Sequence, residues 1–196
     1  LSTANILPGA LTSLQAIGLS TTQSSALSDS QIAAFTSSNI RGLTSQAFEA
    51  LSTTQMASLS SLSIGGLATA QIRAINTAEI ASLDVQDLPG MTSGQMLGFS
   101  VGQLGQMLPA QLSALSSNAV RGLSTAQIAA IATDRITALD AQDIAALSSV
   151  ALGGLVLATT GDAVRLSEAQ IGAISLLAAP GLSTAVVSNL TSSQLA

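Results

Sequence analysis

The chain has 196 residues, enough for one large domain or two small ones. It is 47% hydrophobic, which excludes a highly charged disordered chain, yet only 8% of its residues are charged. The absence of Cys excludes disulfides and thiolate metal sites. The net charge of −5 argues against nucleic-acid binding, which needs clustered basic side chains.

The N-terminus and the hydropathy pattern bear on targeting and on membranes. The chain starts at Leu1 without the basic and apolar regions of a signal peptide, so we expect it to be a segment of a longer protein. Its longest apolar stretch, residues 150–158, is far shorter than the about 20 residues that a membrane-spanning helix needs. We therefore predict no membrane span.

An eight-residue repeat fills the chain. Octads such as LTSLQAIG (residues 11–18) and LSDSQIAA (residues 27–34) follow one another without a slip from residue 11 to residue 154. An irregular unit occupies residues 155–165, and the octads resume over residues 166–196. We predict a single repeat array over residues 1–196. Residues 67–90 and 123–146 match at 13 of 24 positions with an offset of 56, which indicates a block duplication.

The octad positions differ in polarity. Positions 1 and 6 are almost always large and apolar, with few exceptions such as Ser24, and position 8 is nearly always Ala, Gly or Ser. Because charges occur only at the other positions, we expect positions 1, 6 and 8 to face inward and the rest to face water. Ile128 and Ile136 should then be buried, whereas Gln127 and Arg135 should be exposed.

The polar positions predict short helices. Position 2 is Ser, Thr, Asp or Asn in fifteen of the eighteen regular octads, and position 5 is most often Gln. Ser-x-x-Gln is a capping box, so a helix should begin near position 3, where Pro109 is also tolerated. Pro89 and Pro180 at position 7 should limit their helices to a single turn. The irregular unit should bulge outward at residues 160–162.

The fold class that follows is all-α: a solenoid of very short helices built from tandem octapeptide repeats. Helices this short are unstable alone and need neighbouring repeats to bury their Leu and Ile side chains. The alternative is a β-solenoid, but period-2 alternation is absent and Ala and Gln are poor strand formers. If two octads complete each turn, the chain spans roughly 100–120 Å.

Some residues resemble elements of functional sites. Residues 98–102, GFSVG, match a nucleophile elbow around Ser100, but the chain has no His to act as the base. The acidic pairs Asp84/Asp87 and Asp140/Asp143 resemble a cation or acid–base site. Since both pairs replace Ser and Gln at positions 2 and 5, helix capping is the simpler interpretation. We predict no catalytic, cofactor-binding or metal-binding residues.

The remaining polar candidates lie at other positions of the octad. Arg41, Arg73 and Arg121 all occupy position 7, where they face solvent or pair with carboxylates of neighbouring turns or subunits. Asn189 begins an Asn-Leu-Thr glycosylation sequon, a match that chance produces readily in a chain rich in Ser and Thr.

The octads LSTAQIAA (residues 123–130), LATAQIRA (67–74) and LSEAQIGA (166–173) resemble a known repeat. They are similar to the LTTAQIAAL-type octapeptide arrays of very large proteobacterial surface and secreted proteins, which are often labelled haem-utilisation or adhesion proteins. The resemblance implies an extracellular or cell-surface location. Haem ligation finds no support in the residues, because the chain lacks His, Cys and Tyr.

The predicted function is structural and not enzymatic. We expect a segment of a bacterial extracellular filament or giant surface protein, which assembles with copies of itself or with further repeats of the same chain through stacked solenoid turns. The alternative is a binding module, either an adhesin stalk or a repeat surface that recognises carbohydrate or another surface. No cofactor and no nucleic-acid partner are expected.

Overall fold

The computed structural model describes residues 12–131, 135–155 and 166–195. Within these ranges the chain forms short α-helices and 3₁₀ helices and no strand, which confirms the all-α solenoid over the β-solenoid. The α-helices are α1 (Ser13–Ile17), α2 (Thr21–Ser25), α3 (Asp29–Ala33), α4 (Ser37–Ile40), α5 (Ser45–Glu49), α6 (Thr53–Ala57), α7 (Ser61–Gly66), α8 (Thr69–Ala74), α9 (Ser93–Met96), α10 (Val101–Gln106), α11 (Pro109–Ser113), α12 (Ser117–Val120), α13 (Thr125–Ala130), α14 (Ala141–Ala146), α15 (Ser149–Leu152), α16 (Glu168–Gly172) and α17 (Thr184–Ser188). The 3₁₀ helices are Thr77–Ser82, Leu88–Gly90, Ile136–Ala138 and Ala179–Gly181.

The capping boxes set where the helices begin. Each of these α-helices starts at position 3 of its octad, as predicted. In α13 the Ser124 hydroxyl accepts from the Gln127 N–H at 3.4 Å, and the Gln127 side-chain oxygen accepts from the Ser124 N–H at 2.8 Å. Where position 2 is Ala68 or Leu108, only the second bond remains, at 2.8 Å and 2.9 Å respectively. The side chain at position 5 is therefore enough to start a helix.

Proline at position 7 shortens the helix, also as predicted. The octads that contain Pro89 and Pro180 form only the three-residue 3₁₀ helices Leu88–Gly90 and Ala179–Gly181. Proline has no N–H to donate to the carbonyl four residues earlier, so a full α-turn from position 3 cannot close.

Three octads complete each coil of the solenoid. Each helix packs against the helix of the octad 24 residues earlier: α4 on α1, α5 on α2 and α6 on α3. The assumption of two octads per turn was wrong. Residues 11–154 hold eighteen octads, so they make six coils, and helices stacked about 8–10 Å apart give about 50–60 Å along the axis.

Stacking of equivalent octads produces three columns of helices. The first column contains α1, α4, α7 and Leu88–Gly90 and continues with α11 and Ile136–Ala138, which pack on each other; the second contains α2, α5, α8, α9, α12, α14 and α16. The third column contains α3, α6, Thr77–Ser82, α10, α13, α15 and Ala179–Gly181. The solenoid is thus a three-sided rod, and each column forms one of its faces.

The apolar core runs along the axis between the columns. Ile128 and Ile136 at position 6 are buried, at 1% and 4% exposure, and so is Leu123 at position 1. The prediction for these two positions is confirmed. The prediction for position 5 is wrong: Gln127 is only 4% exposed and Arg135 is half-buried. Position 5 points into the junction between successive coils, where a polar side chain has hydrogen-bonding partners.

Small residues at position 8 allow the coils to approach closely. A Cβ added to Gly66 would lie 2.3 Å from the Ser37 Cα of the coil below, and one added to Gly42 would lie 2.8 Å from the Ser13 Cα. A methyl group cannot fit at such distances, so these positions require Gly.

The 56-residue duplication spans seven octads, which is two and a third coils. The duplicated blocks therefore lie on different columns: α8 belongs to the second and its copy α13 to the third. α8 and α13 are both six-residue α-helices although they lie on different faces, whereas Leu88–Gly90 is a 3₁₀ helix and its copied octad forms α14.

Two further predictions concern the bulge and the membrane. The predicted bulge at residues 160–162 lies outside the described residues. Within the described ranges, no helix combines the length and apolarity needed to cross a membrane.

Candidate functional site

The buried glutamine at position 5 joins one coil to the next. In α13 the Gln127 side-chain nitrogen donates to the carbonyl oxygens of Met96 at 2.7 Å and Phe99 at 2.8 Å, both on the coil below. The same side chain holds the Ser124 N–H of its own octad. One amide thus starts a helix and fixes its register on the preceding coil.

This arrangement recurs along the rod, and we call it the glutamine ladder. Its members are the position-5 glutamines that bridge to carbonyl oxygens 28 and 31 residues earlier: Gln55, Gln71, Gln95, Gln103, Gln111 and Gln127. Gln170 and Gln194 extend it to Leu139 and Leu166 in the C-terminal octads. The ladder includes glutamines from all three columns. The ladder joins successive coils of this helical solenoid by hydrogen bonds, as backbone hydrogen bonds join the neighbouring strands of a sheet.

Other side chains at position 5 modify the ladder. Arg135 replaces Gln, and its guanidinium donates to the Met107 carbonyl at 2.6 Å, the contact that a glutamine would make. Ala47, Ala119 and Ala151 are fully buried there, but a methyl group cannot bridge the coils.

Acidic residues at position 5 accept from the position-2 N–H of their own octad, as Gln does, but a carboxylate cannot donate to the carbonyl oxygens of the coil below. Asp143 is 3% exposed, and its carboxylate accepts from the Asp140 N–H at 3.2 Å. Burial raises the pKa of Asp143 above its ordinary value, although hydrogen bonds from Ser117 and Asp140 lower it in part. Burial also raises the pKa of Glu79 and of Asp87. These three carboxyl groups favour the protonated form more than solvent-exposed carboxyl groups do.

The sequence-predicted capping roles hold for one acidic pair only. Asp140 caps α14 through its bond to the Asp143 N–H at 2.8 Å. Asp84 instead accepts from the Gln86 N–H at 2.9 Å in a turn, since the octad of Pro89 has no α-helix to cap. Among the residues that the structure describes, no three Asp or Glu side chains gather into a metal-binding group.

Ser100 serves as the helix cap of α10. Its hydroxyl accepts from the Gln103 N–H at 3.1 Å, and its own N–H donates to the Gln103 side chain at 2.7 Å. The serine lines an open groove of about 370 Å³ together with Arg73, Leu97 and Val101. The hydroxyl sits in the same capping geometry as the serines of the other octads.

The arginines at position 7 and the sequon lie at the surface. Arg41 donates from Nε to the Gly66 carbonyl of the next coil at 3.1 Å, so it contacts backbone where a carboxylate was considered. Arg73 and Arg121 are exposed. The Asn189 side chain donates to the Ala185 carbonyl at 2.8 Å at the end of α17, and it is partly exposed.

The core contains one polar side chain that the octad pattern does not explain. Ser24 occupies position 6, where most octads place Ile or Leu, and it is 0% exposed. Its hydroxyl oxygen is buried without a hydrogen-bond partner in the described part of the chain.

The comparison with known families agrees with this repeat geometry. Residues 30–61 and 104–141 match the sequence model of the ALTTAQ repeat. Over these two segments, which together span 70 of the 196 residues, the chain is similar to the ALTTAQ repeat. The two matched segments include α4–α6 and α11–α13, and the glutamine ladder places the Gln of the ALTTAQ motif at the coil junction. Neither a curated protein nor a solved structure matches the chain.

Proposed function

We propose that the chain is a non-catalytic structural segment of a bacterial extracellular filament or giant surface protein. In this proposal, stacked ALTTAQ repeats form a stiff rod, and the partners are further repeats or copies of the same chain. The resemblance to large surface and secreted proteins supports an extracellular or cell-surface location.

The observation that carries the proposal is the glutamine ladder. Its bonds are the same in all three columns, for example from Gln103 to Ile72 and Ile75 and from Gln111 to Ile80 and Leu83. Each coil therefore presents the next coil with the same carbonyl acceptors and the same apolar surface. A repeat protein whose interfaces are all alike can be extended indefinitely along its axis.

The surface chemistry also supports a scaffold. The polar atoms of Ser100, Ser124 and Gln127, which line the groove beside Arg73, are engaged in capping boxes and coil bridges. The chain has no His and no Cys, the side chains on which most nucleophilic and acid–base sites depend.

Electron microscopy of the purified chain tests the proposal. We expect straight rods of uniform width that join end to end into fibres at high protein concentration. Rods that stay separate at every concentration would favour the adhesin stalk. Compact round particles would contradict both functions, because both need an extended solenoid.

A further inference from the structure

The three faces of the rod differ in charge. The exposed positions 3, 4 and 7 carry Arg41 on the first column and Glu49, Arg73, Arg121 and Glu168 on the second. On the third column, Asp29 in α3 is the one charged residue at these positions among the described residues, and from α6 to Ala179–Gly181 there is none. These eighteen positions, three of which are the glycines Gly102, Gly105 and Gly153, are what we call the uncharged face.

The uncharged face also exposes large apolar side chains. Leu176 and Leu177 are 93% and 90% exposed, and Val150, on the coil below them, is 73% exposed. Val101 adds a further exposed apolar side chain two coils below Val150. Glu79 is the only charged residue in the helices of this face, and it lies half-buried at position 5, bound to the Asn76 N–H.

We propose that the uncharged face binds the same face of a second copy of the chain, so that two rods pair side by side. This inference rests on the proposed structural role and names the surface through which assembly occurs. The eighteen residues of the face approach the about 20 residues per partner of a standard interface, and depletion of charge is typical of the buried centre of interfaces.

Electrostatics favour a second copy as the occupant. Each chain carries a net charge of −5, so two copies repel each other unless their charged faces point apart. Pairing through the uncharged face places the charged positions of the first and second columns on the outer sides of the pair. The face has no basic residues to attract an anionic membrane and no aromatic rings to stack on sugars.

The duplication supplies a matched pair of variants for the test. Ala126 on the uncharged face and Ala70 on the second column are exposed, occupy position 4, and lie in the same Thr-Ala-Gln-Ile sequence. Sedimentation equilibrium compares the mass of the unmodified chain with the masses of the Ala126→Glu and Ala70→Glu variants, and circular dichroism checks that each variant is folded. We expect dimers of the unmodified chain and of Ala70→Glu, and a 19.4 kDa monomer of Ala126→Glu.

A second pair keeps the test decisive if a Glu at residue 126 disturbs its helix. Val150→Glu on the uncharged face should also give monomers, whereas Leu62→Glu, at position 4 of the first column, should not. A monomeric unmodified chain, or association that none of the variants weakens, would overturn the pairing. If the chain formed monomeric rods, or fibres that these variants did not change, the pairing would be wrong but the structural role would stand. Compact particles would contradict the structural role itself.

Discussion

Glutamine 127 shows how much one side chain contributes to this fold. Removing its amide leaves the Phe99 carbonyl and the Ser124 N–H without a partner, whereas the Met96 carbonyl still accepts from the Phe99 N–H. Each buried polar group left unsatisfied costs about 1–3 kcal/mol, so Gln127→Ala should lower the free energy of unfolding by about 2–6 kcal/mol. The sequence alone predicted about 1 kcal/mol or less, on the assumption of exposure. Urea denaturation measures the difference.

The matched control for Gln127→Ala is Gln142→Ala. Gln142 is an exposed glutamine at position 4 of its octad, where substitution should change the free energy of unfolding by less than about 0.5 kcal/mol. Equal losses for the two variants would show that the buried amide does not hold the coils together.

Ser24 should respond to substitution in the opposite direction. Its buried hydroxyl has no partner, so Ser24→Ala removes a desolvated polar atom and should raise the free energy of unfolding by about 1 kcal/mol. Ser25→Ala, at an exposed neighbouring position, is the control and should have little effect. A loss of stability in Ser24→Ala would mean that the hydroxyl has a partner in solution.

Asp143 makes stability depend on pH. Because burial raises its pKa in the folded chain, the folded state binds the proton more tightly than the unfolded state. Its contribution to stability is therefore present at acidic pH and is lost as the pH rises through the raised pKa. Between about pH 4 and pH 7, the free energy of unfolding should fall less with rising pH in Asp143→Asn than in the unmodified chain. If the free energy of unfolding changed equally with pH in both proteins, Asp143 would not be the source of the pH dependence.

At the scale of the helix, glycine has opposite effects at two positions. Gly66→Ala places a methyl group against the backbone of Ser37 and should destabilise the chain by about 1–3 kcal/mol. Gly105, within α10, has nothing within 4 Å of an added Cβ, so Gly105→Ala should stabilise the chain by about 0.5–1 kcal/mol. Thermal unfolding distinguishes the two, and a stabilising Gly66→Ala would refute the close packing of coils.

The helices themselves could be predicted from the sequence because their signals are local. Ser124 and Gln127 are three residues apart, so a capping box is readable without knowing the fold. The inward direction of Gln127 was missed because its partners lie 28 and 31 residues away. The spacing of Gly18, Gly42, Gly66 and Gly90 at intervals of 24 residues was the available signal for three octads per coil. The unequal distribution of charge among the three faces can be worked out only once that number is known.

At the scale of the whole molecule, the octad is the unit from which each coil is built. Each octad rests on the one three places earlier, in all three columns. Deleting residues 99–106, a whole octad, should therefore keep the helical spectrum and a cooperative unfolding transition. Deleting residues 101–104 should not, because half an octad moves apolar side chains out of the core. Circular dichroism with thermal unfolding measures both properties. If the two deletion variants gave the same spectrum and the same unfolding transition, the octad would not be the unit that can be removed.

The seven-octad duplication has an evolutionary consequence. Because seven is not a multiple of three, each round of copying carries a surface feature one third of the way around the rod. Asp84 and Asp87, in the octad of Leu88–Gly90 on the first column, thus recur as Asp140 and Asp143 on the second. A feature copied in this way returns to its original side only after three rounds. Gene duplication in steps of seven octads spreads surface features around the rod, whereas steps of six or nine would keep them on one side.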